Sequence, residues 1–347
     1  MAHESAKKSY SKKAEEAVRN AVPLAKLVLS EELEVMKVQK KPHLIEGILS
    51  AEGGTVLAAD AKTGKSTLAL EMCVAVCRGQ HFLGAFATQQ GGCIYWMADD
   101  LNVDRFALNY KNLSQGQPVP KFAAIIERRA LVPDGLLMLE AAIAQIKAVM
   151  VVIDCLTAVR TRRQAGEDFV ASEYNELSML NAFAAKHHLA VLLQHHMATT
   201  AHASKNIFNA MAGSFAIGGA PDDMLALQTF TRTRTERLLL MQGRDVDCVP
   251  VVYARGEDGR LFHVATGPLA DVWEEAYRLY LGLGEAESMT TKEIAEAMGV
   301  TDRAGRYKAA TLKQAGVLTE IASRRYGWER GLLRTLQQVK TINSKGW

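Results

Sequence analysis

The sequence predicts an α/β fold built on a mostly parallel sheet, with a small helix-turn-helix domain behind it, and three stretches carry that expectation. The first is Leu57-Ala58-Ala59-Asp60-Ala61-Lys62-Thr63-Gly64-Lys65-Ser66-Thr67, a turn between a buried strand and an amphipathic helix. The second is Ala148-Val149-Met150-Val151-Val152-Ile153-Asp154, an apolar run closed by a carboxylate, as in a strand covered on both faces. The third is the change after Gly267-Pro268 from strand-like runs to short helical ones.

The 347 residues allow one large α/β domain and a small accessory one. The expected division is an N-terminal helical arm or tail over 1–40, the α/β domain over 41–267, a small domain over 268–332 and a tail over 333–347. Net charge is +3, so contact with nucleic acid must come from local clusters of basic residues. Five cysteines sit in apolar stretches without a Cys-x-x-Cys pair, which reads as buried reduced thiols. The N-terminus is charged and no apolar run is long enough for a bilayer; a cytoplasmic location away from membranes is expected.

Taken in order, the Lys- and Glu-rich start is either a solvated tail or an arm packing on a neighbouring subunit. From Pro42 to Gly54 an apolar lead-in ends in a glycine turn before the strand Thr55-Val56-Leu57-Ala58. The turn that follows is a Walker A phosphate-binding loop. Its backbone N–H groups over Ala61, Lys62, Thr63, Gly64, Lys65, Ser66 and Thr67 cradle phosphates at a helix N-terminus, Lys65 reaches the same oxygens and Ser66 offers a hydroxyl to Mg²⁺. ATP and Mg²⁺ are the expected cofactors.

The next strand, Gly92 to Met97, stops at Ala98-Asp99-Asp100. A carboxylate there lies at the ligand crevice of an α/β sheet, and Asp99 is the candidate for orienting the attacking water; helix capping near Val103 is the competing role. The helix Leu136–Lys147 leads into the Walker B strand, where Asp154 joins Ser66 at Mg²⁺. Arg160-Thr161-Arg162-Arg163 reads as a crevice loop, contacting phosphate or merely solvated. After a helix from Ser172 to His187, the strand Leu189–Leu193 ends at Gln194-His195-His196. His195 is the first choice for a γ-phosphate sensor, then Gln194; a metal role for the His pair lacks a third ligand at suitable spacing.

The polar segment Met197–Ala212, with Lys205, is long for a connection, and is either a DNA-contacting loop or a disordered one. A strand at Met224–Leu227 precedes a hairpin, Leu238–Met241 and Val249–Tyr253, with Gln242-Gly243-Arg244-Asp245 between its arms. Arg244 is the candidate arginine finger for the next subunit's γ-phosphate.

The order of Pro42-His43-Leu44-Ile45-Glu46-Gly47, Walker A, Phe82-Leu83-Gly84, Ala98-Asp99-Asp100, Asp154, His195-His196, Gly213-Ser214 and Gly243-Arg244-Asp245 over residues 40–265 resembles the RecA-like ATPases of the plasmid RepA-type and DnaB-type hexameric helicases. The resemblance implies a RecA-like P-loop NTPase core, a homo-oligomeric, hexameric ring with ATP at subunit interfaces, and single-stranded DNA in the channel. Two positions depart from the pattern: Asp99 stands where the family has a catalytic glutamate, and Ala59 where it has the first loop glycine.

Beyond 267, Val272–Gly282 is a helix, Thr291 caps another through Met298, and Gly299-Val300-Thr301 turns into Asp302–Gln314. Gly316 to Trp328 then makes two strands with an arginine-bearing tip, and the whole resembles a winged helix. Arg303, Arg306 and Lys308 on the second helix, with Arg324 and Arg325 at the tip, suit phosphate and groove contacts on duplex DNA; protein docking is the other use of such a surface. The expected function is an ATP-dependent DNA helicase or translocase of phage, plasmid or other mobile-element replication. The alternatives are a DNA-binding ATPase that loads or regulates replication without unwinding, and a nucleotide-gated regulator.

Overall fold

All seven residues of the strand Gly53–Ala59 are buried, so both faces of the sheet built on it are covered. The computed structural model describes residues 28–37, 41–161, 168–197, 207–208, 219–230 and 235–344, and these fall into two units, 1–40 and 41–347. In the first unit a short helix α1 (Ser30–Val35) leaves Leu29, Leu33 and Met36 exposed; the rest of the expected arm lies outside the described residues.

The second unit opens with β1 (His43–Ile45), β2 (Leu49–Ser50), β3 (Gly53–Ala59) and α2 (Lys65–Arg78). There follow β4 (Gly92–Met97), α3 (Val103–Ser114), β5 (Phe122–Ile126), α4 (Leu136–Ile146), β6 (Ala148–Asp154), the single turn α5 (Leu156–Val159), α6 (Phe169–His187) and β7 (Ala190–His196). β8 (Asp223–Thr229), β9 (Glu236–Gly243), β10 (Val251–Arg255) and β11 (Leu261–Thr266) complete a nine-stranded sheet in the order β11-β10-β9-β8-β3-β7-β6-β4-β5. From β8 to β5 every pairing is parallel, whereas β9, β10 and β11 extend the sheet antiparallel. This is the α/β, RecA-like P-loop fold that the motifs predict, with β7 inserted between the Walker A and Walker B strands.

Period-two alternation sorts the core into two layers. Leu57, Tyr95, Val152 and Leu192 pack with α2 on one face. Val56, Trp96, Ile153 and Leu193 pack with Leu139 of α4 and Leu177 and Leu180 of α6 on the other. The edge strands β5 and β11, which no unbroken apolar run announces in the sequence, are only half-buried.

The C-terminal segment runs α7 (Pro268–Asp271), α8 (Trp273–Leu283), β12 (Met289–Thr290), α9 (Thr291–Met298), α10 (Asp302–Gln314), β13 (Leu318–Ala322), β14 (Arg325–Trp328) and α11 (Arg330–Ser344). Its small sheet has the order β12-β14-β13. The cap of α9 is Thr290, not Thr291: Thr290 Oγ1 accepts from Glu293 N and Glu293 Oε2 accepts from Thr290 N, a capping box. Gly305 lets α10 approach α9, because a Cβ there would stand 2.5 Å from Ala295 Cβ. The expected tail over 333–347 is instead helical to Ser344, since Leu332, Leu336, Val339 and Ile342 recur at helical spacing and are buried. Leu332, Leu336 and Val339 share a core with Val252, Ala254 and Ala265 of β10 and β11.

Candidate nucleotide-binding and hydrolysis site

The phosphate loop follows from β3 ending at Ala59 and α2 beginning at Lys65. Ala59 is fully buried within the strand, so its methyl is accommodated where the pattern has glycine. Gly64 takes φ 105° with nothing within 4 Å of a built Cβ, which leaves the loop concave and its N–H groups reachable at the start of α2. Lys65 Nζ donates to Ala59 O at 2.8 Å and Asp60 O at 3.0 Å and lies 3.3 Å from His196 Nδ1. Burial pushes the Lys65 ammonium's pKa down, against the pull of Asp154.

Ser66 Oγ donates to Asp154 Oδ2 at 2.7 Å, and Tyr95 donates to the same oxygen at 2.7 Å. Gln194 Nε2 in turn donates to Tyr95 OH at 2.9 Å. A hydroxyl beside a carboxylate on adjoining elements is an oxygen donor set suited to a hard divalent cation, so Ser66 and Asp154 fit Mg²⁺. Burial and the neighbouring Asp154 hold the Tyr95 phenol well above its ordinary pKa, so it stays a donor.

Asp99 follows β4, with its N–H on Asp154 O at 3.1 Å. Its carboxylate has Arg128 at 3.7 Å, Cys155 Sγ at 3.7 Å and His196 Nε2 at 4.0 Å. Helix capping falls to others: Asn102 caps α3 by accepting from Arg105 N, and Asp100 pairs with Arg105 at 2.8 Å. Asp99 is therefore left facing the cleft.

The alternation of β7 corrects the choice of sensor. Gln194 and His196 fall on the face of α2, where they meet Ser66 and Lys65. His195 pairs with Ala58, on the opposite side of the sheet. Its Nδ1 is buried without a hydrogen-bond partner among the described residues, and burial, with Arg160 nearby, lowers its pKa to about 4. His196 is also held below its usual value by burial and by Lys65, which suits a neutral ring accepting from the ammonium.

The cleft encloses about 570 Å³ and its far wall is one the sequence did not reveal: Thr235, Arg237, Tyr253, Arg255 and Leu261 from the antiparallel strands. Arg237 Nε donates to the loop carbonyl of Thr63 at 2.8 Å. Thr235 Oγ1 donates to Asn343 Oδ1 of α11 at 2.7 Å, and Asn343 Nδ2 reaches Glu236 and Tyr277. The end of α11 is thereby fastened to the strand that touches the phosphate loop.

Arg244 lies at the other end of β9. Arg237 pairs with Thr229 and Gly243 with Asp223, and Asp223 pairs with Thr55 near the start of β3, so Arg244 is remote from its own phosphate loop. Its side chain is 75% exposed with Asp222 at 3.7 Å.

Of the basic residues expected to meet DNA, Arg303, Arg306, Arg324 and Arg325 are exposed. Lys308 instead bonds Glu275 of α8, because its place on α10 faces that helix. Lys205, with most of the segment Met197–Ala212, lies outside the described residues.

A parallel sheet with Walker A and Walker B elements converging at one end defines a P-loop ATPase of RecA-like architecture. The AAA domain family matches residues 21–201, just over half of the chain, and the chain belongs to that family. No curated protein matches it by sequence. Among solved structures it is similar to the ATPase domain of a helicase (TM-score 0.48, 11% identity, covering 62% of this chain and 86% of that one). It is also similar to a KaiC-like protein from the archaeon Pyrococcus horikoshii OT3 (TM-score 0.43, 15% identity, 66% and 99% covered) and to the RadB recombinase (0.42, 15%, 63% and 93%). Among the described residues no helix is long and apolar enough to cross a membrane.

Proposed function

We propose that the chain is an ATP-hydrolysing DNA helicase or translocase of mobile-element replication that works as a homo-oligomeric ring, hexameric by resemblance. The observation that carries this reading is a phosphate site at one end of the sheet and an exposed arginine, Arg244, at the other. In a head-to-tail ring the second feature of one copy faces the first of the next. Bound Mg²⁺ supplies charge neutralisation at the phosphates, and Ser66 and Asp154 hold it. Lys65 exchanges its two carbonyl acceptors for phosphate oxygens. Asp99 orients the attacking water, His196 and Gln194 register the γ-phosphate, and Arg244 completes the neighbour's site. The C-terminal segment acts as a winged helix on DNA through Arg303, Arg306, Arg324 and Arg325.

The test is ATP turnover with and without single-stranded DNA, with Lys65→Ala as blank, oligomeric mass in the same samples and strand displacement in both polarities. DNA-stimulated turnover in a ring-sized assembly that separates strands supports the motor. A second reading, a nucleotide-gated regulator, is favoured by one observation: the shorter Asp99 stands among Arg128, Cys155 and His196. It predicts ATP binding with negligible turnover.

A further inference from the structure

We propose that Asp99, Cys155 and His196 form a binding site for a thiophilic divalent cation of the zinc class, separate from the Ser66–Asp154 pair, and that filling it stops ATP turnover. The three residues come from the C-terminal ends of three adjacent parallel strands, β4, β6 and β7. One ligand atom from each lies within 4.8 Å of the other two. Cys155 Sγ stands 3.7 Å and His196 Nε2 4.0 Å from the same oxygen, Asp99 Oδ2. Tetrahedral zinc, with bonds of about 2.0–2.3 Å, sets its ligands roughly 3.3–3.6 Å apart. Movements of a few tenths of an ångström in two half-exposed side chains therefore close the site on an ion.

The donor set selects the cation. Sulfur, imidazole and one carboxylate suit zinc and its relatives, whereas Ser66 and Asp154 offer only oxygen and suit magnesium. Two cations thus sort themselves between neighbouring sites. Three protein ligands leave a fourth position for water on the cleft side. On binding, the Cys155 thiol releases its proton to solvent and its sulfur bonds the cation; no electron is transferred.

Coordination through His196 Nε2 moves the ring proton to Nδ1, the atom now 3.3 Å from Lys65 Nζ. Lys65 then loses that acceptor and keeps Ala59 O and Asp60 O. The cation therefore withdraws Asp99 from water and His196 from Lys65 together. The loss of turnover rests on the proposed role of Asp99 in hydrolysis; binding rests on geometry alone.

Binding is read with Co²⁺ on the full chain, since a cobalt–thiolate bond gives a near-ultraviolet charge-transfer band. The band is expected in the native protein and in Cys248→Ser, which removes the exposed thiol, and is displaced by Zn²⁺ but not by excess Mg²⁺. It is expected to vanish in Cys155→Ser, and Asp99→Asn and His196→Ala should weaken Co²⁺ affinity by at least the roughly tenfold that losing even an outer-shell partner costs. A native protein without the band, or a band that survives in Cys155→Ser, overturns the site. In the second arm, Zn²⁺ is titrated into turnover assays at saturating Mg²⁺ and ATP. Native protein loses turnover as the site fills, and Cys155→Ser needs at least roughly tenfold more Zn²⁺; undiminished turnover with a filled site overturns the inhibition. A chain without ATPase activity still answers the cobalt arm, so failure of the proposed function is distinguished from failure of the site.

Discussion

Tyr95 donates its hydroxyl to Oδ2 of Asp154 at 2.7 Å, the same oxygen that Ser66 occupies from the phosphate loop. Both Tyr95 and its second partner Gln194 are buried, so the three residues make one polar chain in a dry setting. Tyr95→Phe removes a donor from Asp154 and leaves the Gln194 amide short of an acceptor. The expected cost is about 1–3 kcal/mol of stability, with a higher Mg²⁺ concentration at half-maximal turnover. Denaturant unfolding and a Mg²⁺ titration of ATP hydrolysis measure the two effects; an unchanged Mg²⁺ requirement would show that Tyr95 serves packing alone.

The two histidines at the end of β7 separate by face. His196→Ala removes the side chain beside Lys65 and Asp99 and should lower turnover by about 10²-fold while the protein stays folded. His195→Ala empties a position on the opposite layer, so it should lower stability and leave turnover per folded molecule near native. Equal losses of turnover from the two would contradict this division.

Arg244 gives a prediction that depends on assembly. Arg244→Ala should keep ATP binding and lose turnover by about 10³-fold or more, the worth of an arginine finger. Since Arg244 is remote from its own Lys65, mixing Arg244→Ala with Lys65→Ala chains should restore part of the activity at mixed interfaces. Absence of rescue in co-assembled samples counts against action in trans.

Much of the fold was legible because its strands are buried on both faces and appear as unbroken apolar runs, as at Ala148–Asp154. The half-buried edges β5 and β11 lack that signal, and neither is visible from pattern alone. The helix α11 was legible in principle, through the spacing of Leu332, Leu336, Val339 and Ile342. At the site, the Walker residues announce themselves by spacing, whereas Arg237 and Arg255 reach the cleft only because β9 and β10 turn back along the sheet. Tyr95 left one clue, a lone hydroxyl in the strand preceding Asp99. The sequence favours His195 over His196 because nothing local fixes the register of β7 against β3; that pairing is a tertiary fact.

Glu71 offers a stability test outside the chemistry. It is buried on α2, and burial raises its pKa from 4.5 to about 7 despite Arg260 and Arg78 nearby, with Asp258 adding to the rise. The folded chain therefore holds a proton that the unfolded chain has already released. Stability should fall as pH rises from about 4.5 to about 7 and level off above. Glu71→Gln should flatten that decline and stabilise the protein at pH 8 by about 1–3 kcal/mol, read from denaturant midpoints across the range.

On the C-terminal segment, the pairing of Lys308 with Glu275 divides the basic residues of α10 into two kinds. Arg303 and Arg306 are exposed beside Tyr307, whose side chain is 73% exposed, and the hairpin tip adds Arg324 and Arg325. Replacing Arg303 and Arg306 by Ala should weaken duplex binding across sequences and reduce the slope of log affinity against log salt by about two, one per phosphate contact. Lys308→Ala should leave that slope unchanged, because its ammonium is committed to α8 within the protein. It should instead destabilise the packing of α10 on α8, since Glu275 loses its partner. Salt-dependent binding of all variants to one duplex separates the outcomes: a drop in slope for Lys308→Ala, or none for the double arginine variant, would move the DNA surface off this helix face.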